Sequence, residues 1–558
     1  MSFQHVDDYP EIPVSVGSTK TALFTGSWRS VRPVLVERTA PCSAGCPAGI
    51  GIPAYLDHIA ADRLDAAFAA ITERNPFPRI TGRVCPHPCE ASCNVPAAGE
   101  EPVSIRAIER WLGDATAHLP YPEPALPTGA SVAVVGAGPA GLSAAFYLRR
   151  TGHDVVVFDR HDRPGGMLRH GIPDYRLPAT VVEDEIARLE KMGIEFRTGT
   201  VLGRDLSVED LEADFAAVLV ATGAWRERSL HIPGAHLMRS GMSFLDAVSR
   251  DEAALPGRRC AVVGGGNTAM DAARSALRLG AASVRVVYRR TRDEMPAIPE
   301  EIDETLEEGV DIDFLTQPVA LHEDPADGMR RQYGLQCVRM ELGEPDESGR
   351  RAPVEIKDSD FELDCHRVIL ALGQSPDISV FPEGTEVREG TQLLGLLEKP
   401  LFAIGDLATR EGTVAAAIGS GRRSAVHIHN VLSGEHVSIT EHAEALRDVD
   451  EWRDEVIHAD AMKLHLFERQ AGAEGESLDP SERRSTFDEV HLGLEDASEA
   501  ARCLSCGVCN ECDLCITYCP EGVLKRVGHS LEFDYGYCKG CGMCVAECPR
   551  NVIFMSHL

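Results

Sequence analysis

This 558-residue chain is poor in aromatics (6%, with 4 tryptophans), and its 55 basic residues are well short of its 87 acidic ones. The resulting net charge of −32 argues against nucleic acid and anionic lipid surfaces as partners, because both recruit cationic patches. Apolar content is ordinary at 44%. No run of about 18 apolar residues occurs, so membrane insertion is not expected. Met1–Asp8 shows no charged stretch leading into an apolar one, and a cytoplasmic location is expected. At roughly 100–200 residues per domain, the length implies three to five units. Cysteine, by contrast, is plentiful at 18 residues. Most of it sits at metal-binding spacings, which suit a reducing compartment better than a disulfide framework.

Cys509, Cys512, Cys515 and Cys519 run C-x2-C-x2-C-x3-C into Pro520, and Cys538, Cys541, Cys544 and Cys548 repeat the run into Pro549. Thiolates at this spacing hold neighbouring irons of one cubane, and in two-cluster ferredoxins the fourth cysteine of each run crosses to the other cluster. One [4Fe-4S] cluster is therefore assigned to Cys509, Cys512, Cys515 and Cys548, and a second to Cys538, Cys541, Cys544 and Cys519. A zinc site is the alternative, but paired identical runs ending in Cys-Pro are not a zinc pattern.

Two dinucleotide fingerprints precede this module. The apolar strand Val132–Val135 leads into Gly136-Ala137-Gly138-Pro139-Ala140-Gly141 and an apolar helix, and the next strand ends at Asp159-Arg160. This is G-x-G-x-x-G in its proper context, where a pyrophosphate sits on the helix N-terminus and the acid accepts from a ribose hydroxyl. The second fingerprint, Gly264-Gly265-Gly266-Asn267-Thr268-Ala269, has alanine as its third small residue, and its following strand ends in Arg289-Arg290. Arginine in place of the acid accommodates a 2′-phosphate, which favours NADP(H) and leaves NAD(H) open. Two such sites imply a flavin facing a nicotinamide, a pairing that needs no general base. Thr222 and Gly223 after one strand, and Gly405 and Asp406 after another, fit the flavin site. So does a helix over Gly412–Ser424 that begins at Thr413.

These residues resemble the FAD-containing small subunit of NADPH-dependent glutamate synthase and related NAD(P)H:acceptor oxidoreductases. The resemblance covers residues 40–435. Gly166-Met167-Leu168-Arg169 with Arg176 is similar to the family's flavin loop, and Val287-Tyr288-Arg289-Arg290 to its NADPH segment. It implies a multidomain α/β fold: a helical iron–sulfur domain (1–127), an FAD domain (128–256 and 371–435) interrupted by a nicotinamide domain (257–370), a helical linker (436–500) and the ferredoxin module (501–558). It further implies a cluster held by Cys46, Cys85, Cys89 and Glu109, and half of another at Cys42 and Cys93. The Cys-x-x-Cys that should open the family pattern is missing before Cys42. Arg502-Cys503-Leu504-Ser505-Cys506 has that form at the other end of the chain, so Cys503 and Cys506 are expected to complete the cluster of Cys42 and Cys93. Five N-terminal cysteines, ten C-terminal ones and Glu109 supply the sixteen ligands of four cubanes; the alternative leaves those four thiols free and three clusters.

The expected activity passes electrons between NAD(P)H, FAD and [4Fe-4S] clusters, to or from a partner protein in a hetero-oligomer. Candidate partners are a ferredoxin, a 2-oxoacid oxidoreductase or a sulfite reductase-like enzyme. A glutamate synthase small subunit, or a wiring subunit with an idle nicotinamide site, is the alternative.

Overall fold

A computed structural model describes residues 25–253, 257–324, 332–346, 349–381, 387, 401–434, 456–473, 475–528 and 530–558. The expected start Met1–Asp8 and the first part of the expected linker lie outside them.

Two parallel sheets form the centre. In the first, strands run in the order Leu401–Ala403, Ala217–Val220, Ser131–Val135, Asp154–Phe158 and Glu195–Arg197. Strands of this kind are covered on both faces and hence continuously apolar, as Val132–Val135 and Ala217–Val220 are. Helices Pro139–Arg150 and Val414–Leu432 pack along each other over this sheet. They approach so closely that a Cβ on Gly421 would lie 2.3 Å from the Ala140 carbonyl oxygen. The second sheet has the order Asp311–Asp313, Ser283–Val287, Arg259–Val263, Arg367–Leu370 and Arg239–Ser240. The chain passes between the two units at Arg226–Glu227 and returns at Gln374–Ser375, which pair antiparallel. One nucleotide unit thus interrupts the other, and Arg239–Ser240, expected in the first unit, pairs in the second sheet.

Four features differ from expectation. An antiparallel sheet of Thr316–Asp324, Gln332–Pro345, Arg351–Glu355 and Phe361–Cys365 is inserted into the second unit. The N-terminal segment is not wholly helical: Val31–Leu35 pairs antiparallel with Ile553–His557, so the beginning of the described chain belongs to the C-terminal module. The helical stretch expected from Ile52 to Arg74 is divided into Ile52–Ala60 and Leu64–Thr72. Finally, the described part of the linker is not helical. It holds one four-residue helix, Pro480–Arg483, short 3₁₀ turns and a two-strand pairing of Glu476–Ser477 with His491–Gly493. Its polar composition is used in contacts rather than in helix: Glu489 pairs with Arg83 and Arg110, and His491 with Glu304.

Candidate redox centre

A cleft of about 950 Å³ lies between the two nucleotide units. That volume accommodates extended cofactors. From the first fingerprint it is lined by Gly136, Gly138, Pro139 and Ala140, and around them by Asp159, Arg160, Gly166, Met167, Thr222, Gly223, Gly405, Asp406 and Thr413. Gly136 has φ +112°, and a Cβ there would meet the Ala221 carbonyl at 2.4 Å; Gly166, at φ +53°, lies against Gly138 with a Cβ clearance of 2.7 Å. Both positions need glycine to keep the floor of the cleft open. Gly141 sits behind the floor, where it lets helix and strand pack closely.

Asp159 is buried, yet its carboxyl titrates below the usual range. Burial opposes ionisation, but hydrogen bonds from His161 and from the Ala137 N–H (2.7 Å) outweigh it. It stands ionised and ready to accept from a ribose. Asp406, in contrast, is raised by burial and accepts only the Gly412 N–H, at 2.9 Å. Thr413 caps the helix Val414–Leu432, whose N-terminus faces the cleft. Leu168 and Arg169 do not reach it: Leu168 is core, and the Arg169 guanidinium is held by Glu183 and the Pro164 carbonyl. Arg176 does line the cleft, with its guanidinium paired to Asp271 at 2.9 Å and Glu301 at 2.7 Å.

Sequence reasoning missed His161 and Trp225 on the same wall. Arg160 lies over the Trp225 ring at 4.3 Å, and His161 stacks on His170 with centroids 4.0 Å apart. His161, His170 and Asp246 are the one group among the described residues in which three metal-type donors lie within 4.8 Å. The imidazoles are stacked within 23°, so their in-plane lone pairs run side by side rather than meeting on an ion.

The second fingerprint meets the same cleft. Asn267 and Thr268 line it, while Gly264, Gly266 and Ala269 form the turn behind. Arg289 is exposed and Arg290 buried; the latter pairs with Asp346 and donates to the Arg351 carbonyl at 2.7 Å.

Val84 and Pro86 also line the cleft, so the thiol of Cys85 stands one residue from its wall on either side. Around Cys85 gather Cys46, Cys89 and Glu109, whose charges act on one another. Burial first, and then the neighbouring Glu109 and Cys46, push the Cys85 thiol up to about 12. Glu109 is fully buried and pushed up to about 7 by that burial, although Asn75 (2.8 Å) and Thr81 both donate to its Oε1. Its other oxygen remains for a ligand role. A second group joins both ends of the chain: Cys503, Cys506 and Cys93 are the charges acting on buried Cys42. Asn94 Nδ2 donates to Cys506 Sγ at 3.5 Å. In the C-terminal module, Cys515 is surrounded by Cys512, Cys548, Cys509 and Cys544, and Cys544 by Cys519, Cys541 and Cys538. Cys548 of the second run is thus among the charges acting on Cys515, and Cys519 of the first among those acting on Cys544.

Among the described residues no three of these sulfurs lie within 4.8 Å of one another. Sulfurs around a single zinc would be about 3.8 Å apart, given Zn–S of about 2.3 Å. No cation is among the main charges acting on the buried Cys42 and Cys89 thiols, whose titration points are raised, and iron held there would supply one.

Comparisons with known proteins agree with this geometry. Residues 130–421 match the pyridine nucleotide-disulphide oxidoreductase profile, which covers more than half of the chain. The chain belongs to that family. Residues 34–119 match dihydropyrimidine dehydrogenase domain II, a 4Fe-4S cluster domain, and residues 531–554 a 4Fe-4S binding domain. The NADP(+)-dependent formate dehydrogenase beta subunit of Moorella thermoacetica is 36% identical over 510 residues, covering 84% of this chain and 70% of the relative. The NADPH-Fe(3+) oxidoreductase beta subunit of Geobacter sulfurreducens is 34% identical, covering 84% and 75%. The glutamate synthase [NADPH] small chain of Azospirillum brasilense is 35% identical, covering 70% and 85%. This family member is an NAD(P)H-dependent flavin and iron–sulfur oxidoreductase, with 4Fe-4S domains at both ends. No helix among the described residues is long and apolar enough to cross a membrane.

Proposed function

We propose that the chain is the NADP(H)-linked subunit of a larger redox enzyme, carrying FAD and four [4Fe-4S] clusters. When bound, the flavin exchanges two electrons with the nicotinamide and single electrons with iron–sulfur clusters. The residues of the cleft hold FAD through the first fingerprint, Asp159 and Asp406. Asn267, Thr268 and Arg289, after the second fingerprint's strand, hold NADP(H). Asn267 Oδ1 accepts the Ile298 N–H at 2.9 Å, which fixes the helix N-terminus beside Ile298 on the cleft wall.

Four ligand sets follow: Cys46, Cys85, Cys89 and Glu109; Cys42, Cys93, Cys503 and Cys506; Cys509, Cys512, Cys515 and Cys548; Cys519, Cys538, Cys541 and Cys544. One observation carries this order. Each set shares short chain segments with the next. Cys42 lies in the helix Pro41–Ala44 with Cys46 just beyond it, and Cys89 in the helix Pro88–Ala91 with Cys93 just beyond it. Cys506 lies three residues before Cys509, and Cys515 lies in the helix Leu514–Thr517 with Cys519 just beyond it. The path begins at the cleft wall and ends at Cys541, which is exposed. The partner is then a separate catalytic subunit that meets this end.

The formate dehydrogenase and Fe(3+) oxidoreductase beta subunits align over 84% of this chain, against 70% for the glutamate synthase small chain. That difference favours an acceptor other than glutamate synthase. The test is iron content and EPR of the Cys503→Ser, Cys506→Ser double variant. Loss of about four irons per chain is expected; unchanged iron removes the shared cluster from the account.

A further inference from the structure

The second sheet's strand Ser283–Val287 runs into Tyr288, Arg289 and Arg290 at the mouth of the second fingerprint. The Tyr288 ring lies against that fingerprint, since a Cβ on Gly265 would come within 2.4 Å of it. The two arginines then part. Arg290 is 3% exposed, donates from Nε to the Arg351 carbonyl at 2.7 Å, and pairs through Nη2 with Asp346. Both partners belong to the turn that closes the long hairpin of the antiparallel insert. That turn is held by the Asp346 N–H donating to the Arg350 carbonyl at 2.8 Å, and the Gly349 N–H to the Asp346 carbonyl at 2.9 Å. Arg290 therefore fastens the turn to the strand end, and its fork is spent in doing so.

Arg350 is what the turn brings. It is among the charged groups that act on both Tyr288 and Arg289. The charges gathered here are Arg289, Arg290, Arg350 and one carboxylate, Asp346. The surplus of positive charge matches a phosphate monoester, which carries about −1.5 to −2 at neutral pH.

We infer that Arg350, carried by the insert, reads the 2′-phosphate of NADP(H) together with Arg289, and that Arg290 is their positioning residue. This rests on the reading that the second fingerprint holds NADP(H). It assigns the nucleotide preference to a residue some 60 positions beyond the arginine pair, on an element that the dinucleotide-binding motif does not contain.

The test uses the full-length holoprotein. Binding of 2′,5′-ADP and of 5′-AMP is measured by calorimetry, and KM and kcat for NADPH and NADH with a viologen acceptor. Arg350→Ala and Arg289→Ala should each weaken 2′,5′-ADP and raise the NADPH KM about tenfold or more, the scale of one charge-assisted hydrogen bond. The kcat, the NADH KM and the 5′-AMP affinity should not move. Asp346→Ala separates positioning from simple electrostatics. Removing a carboxylate beside a phosphate should tighten binding if charge alone matters, whereas loss of the fastened turn should weaken it. Unchanged NADPH affinity in Arg350→Ala, an equal loss for NADH, or tighter 2′,5′-ADP binding by Asp346→Ala would overturn the inference. If the unaltered protein binds 2′,5′-ADP no better than 5′-AMP, the NADP(H) reading itself fails.

Discussion

The two nucleotide units open alike, strand to glycine turn to helix, but they are joined to the rest of the molecule by different physics. The first shares one apolar core with the N-terminal iron–sulfur helices: Ile71, Phe77 and Ile108 belong to the same cluster as Val134, Phe146 and Ile418, and Leu504 and Cys506 join from the other end of the chain. The second has a core of its own, built from Val262, Met270, Val284, Ile302 and their neighbours. Its attachments are charged. Arg176 reaches Asp271 and Glu301, His87 and Arg106 reach Glu300, Arg483 reaches Glu307, and His491 reaches Glu304. Apolar packing holds the flavin site rigidly against the first cluster. The nicotinamide unit is instead joined at Arg226–Glu227 and Gln374–Ser375 and by directional ion pairs, buried at Arg176–Asp271 and more exposed at Arg106–Glu300.

This contrast can be broken from either side. Phe146 is fully buried and makes edge contacts with Tyr121 and Tyr147, at 4.9 Å each. Phe146→Ala should cost about 4–5 kcal/mol and lower the melting of iron–sulfur helices and flavin unit together, read by thermal denaturation with cluster absorbance. Arg176→Met leaves Asp271 buried without its main partner and should cost about 3 kcal/mol. Its mark should be local: faster hydrogen exchange in the helix Pro299–Glu307, with the shared core unchanged. Acid provides a gentler cut. Burial would raise Glu304, but His491, Arg274 and Arg483 outweigh it and hold its carboxyl at about 2, against 4.5 ordinarily. A depressed carboxylate contributes stability above its unfolded value and loses it as pH falls toward the folded one. The contribution is therefore complete above about pH 4.5 and lost on the way to 2, and Glu304→Gln should flatten that part of the unfolding profile relative to the parent protein. The smallest effect belongs to Glu300. Its side chain is 51% exposed, and although hydrogen bonds from His87 and the charge of Arg106 hold it at about 2, solvent screening limits Glu300→Gln to under about 1 kcal/mol. That loss should vanish in high salt.

Much of this was legible in the residues themselves. Glycine turns after apolar strands fixed both nucleotide sites, because the constraint there is local: a tight turn, a helix N-terminus and a following strand. The repeated C-x2-C-x2-C-x3-C-P runs were legible as a local spacing, whereas the crossing of Cys519 and Cys548 was expected from the two-cluster ferredoxin pattern. What escaped were long-range pairings. Val31–Leu35 carries no periodic signal and becomes a strand only because Ile553–His557 lies beside it. The segment after residue 456 read as helical from its composition, but Glu489 and His491 are drawn out by Arg83, Arg110 and Glu304, which no local rule could supply. Arg290 looked equivalent to Arg289 until Asp346 claimed it. The pairing of Cys42 and Cys93 with Cys503 and Cys506 is an instructive intermediate. The family resemblance left a gap at one end and a surplus at the other, and the four thiols fall into one electrostatic group.

The central claim is that electrons cross from the flavin side to the C-terminal module through that group. Rapid-freeze EPR of the Cys503→Ser, Cys506→Ser variant after mixing with NADPH tests it most directly. The account predicts reduction of the cluster at Cys46, Cys85, Cys89 and Glu109 at the unaltered rate, while the two C-terminal clusters stay oxidised. C-terminal clusters reduced as fast as in the parent protein would contradict it.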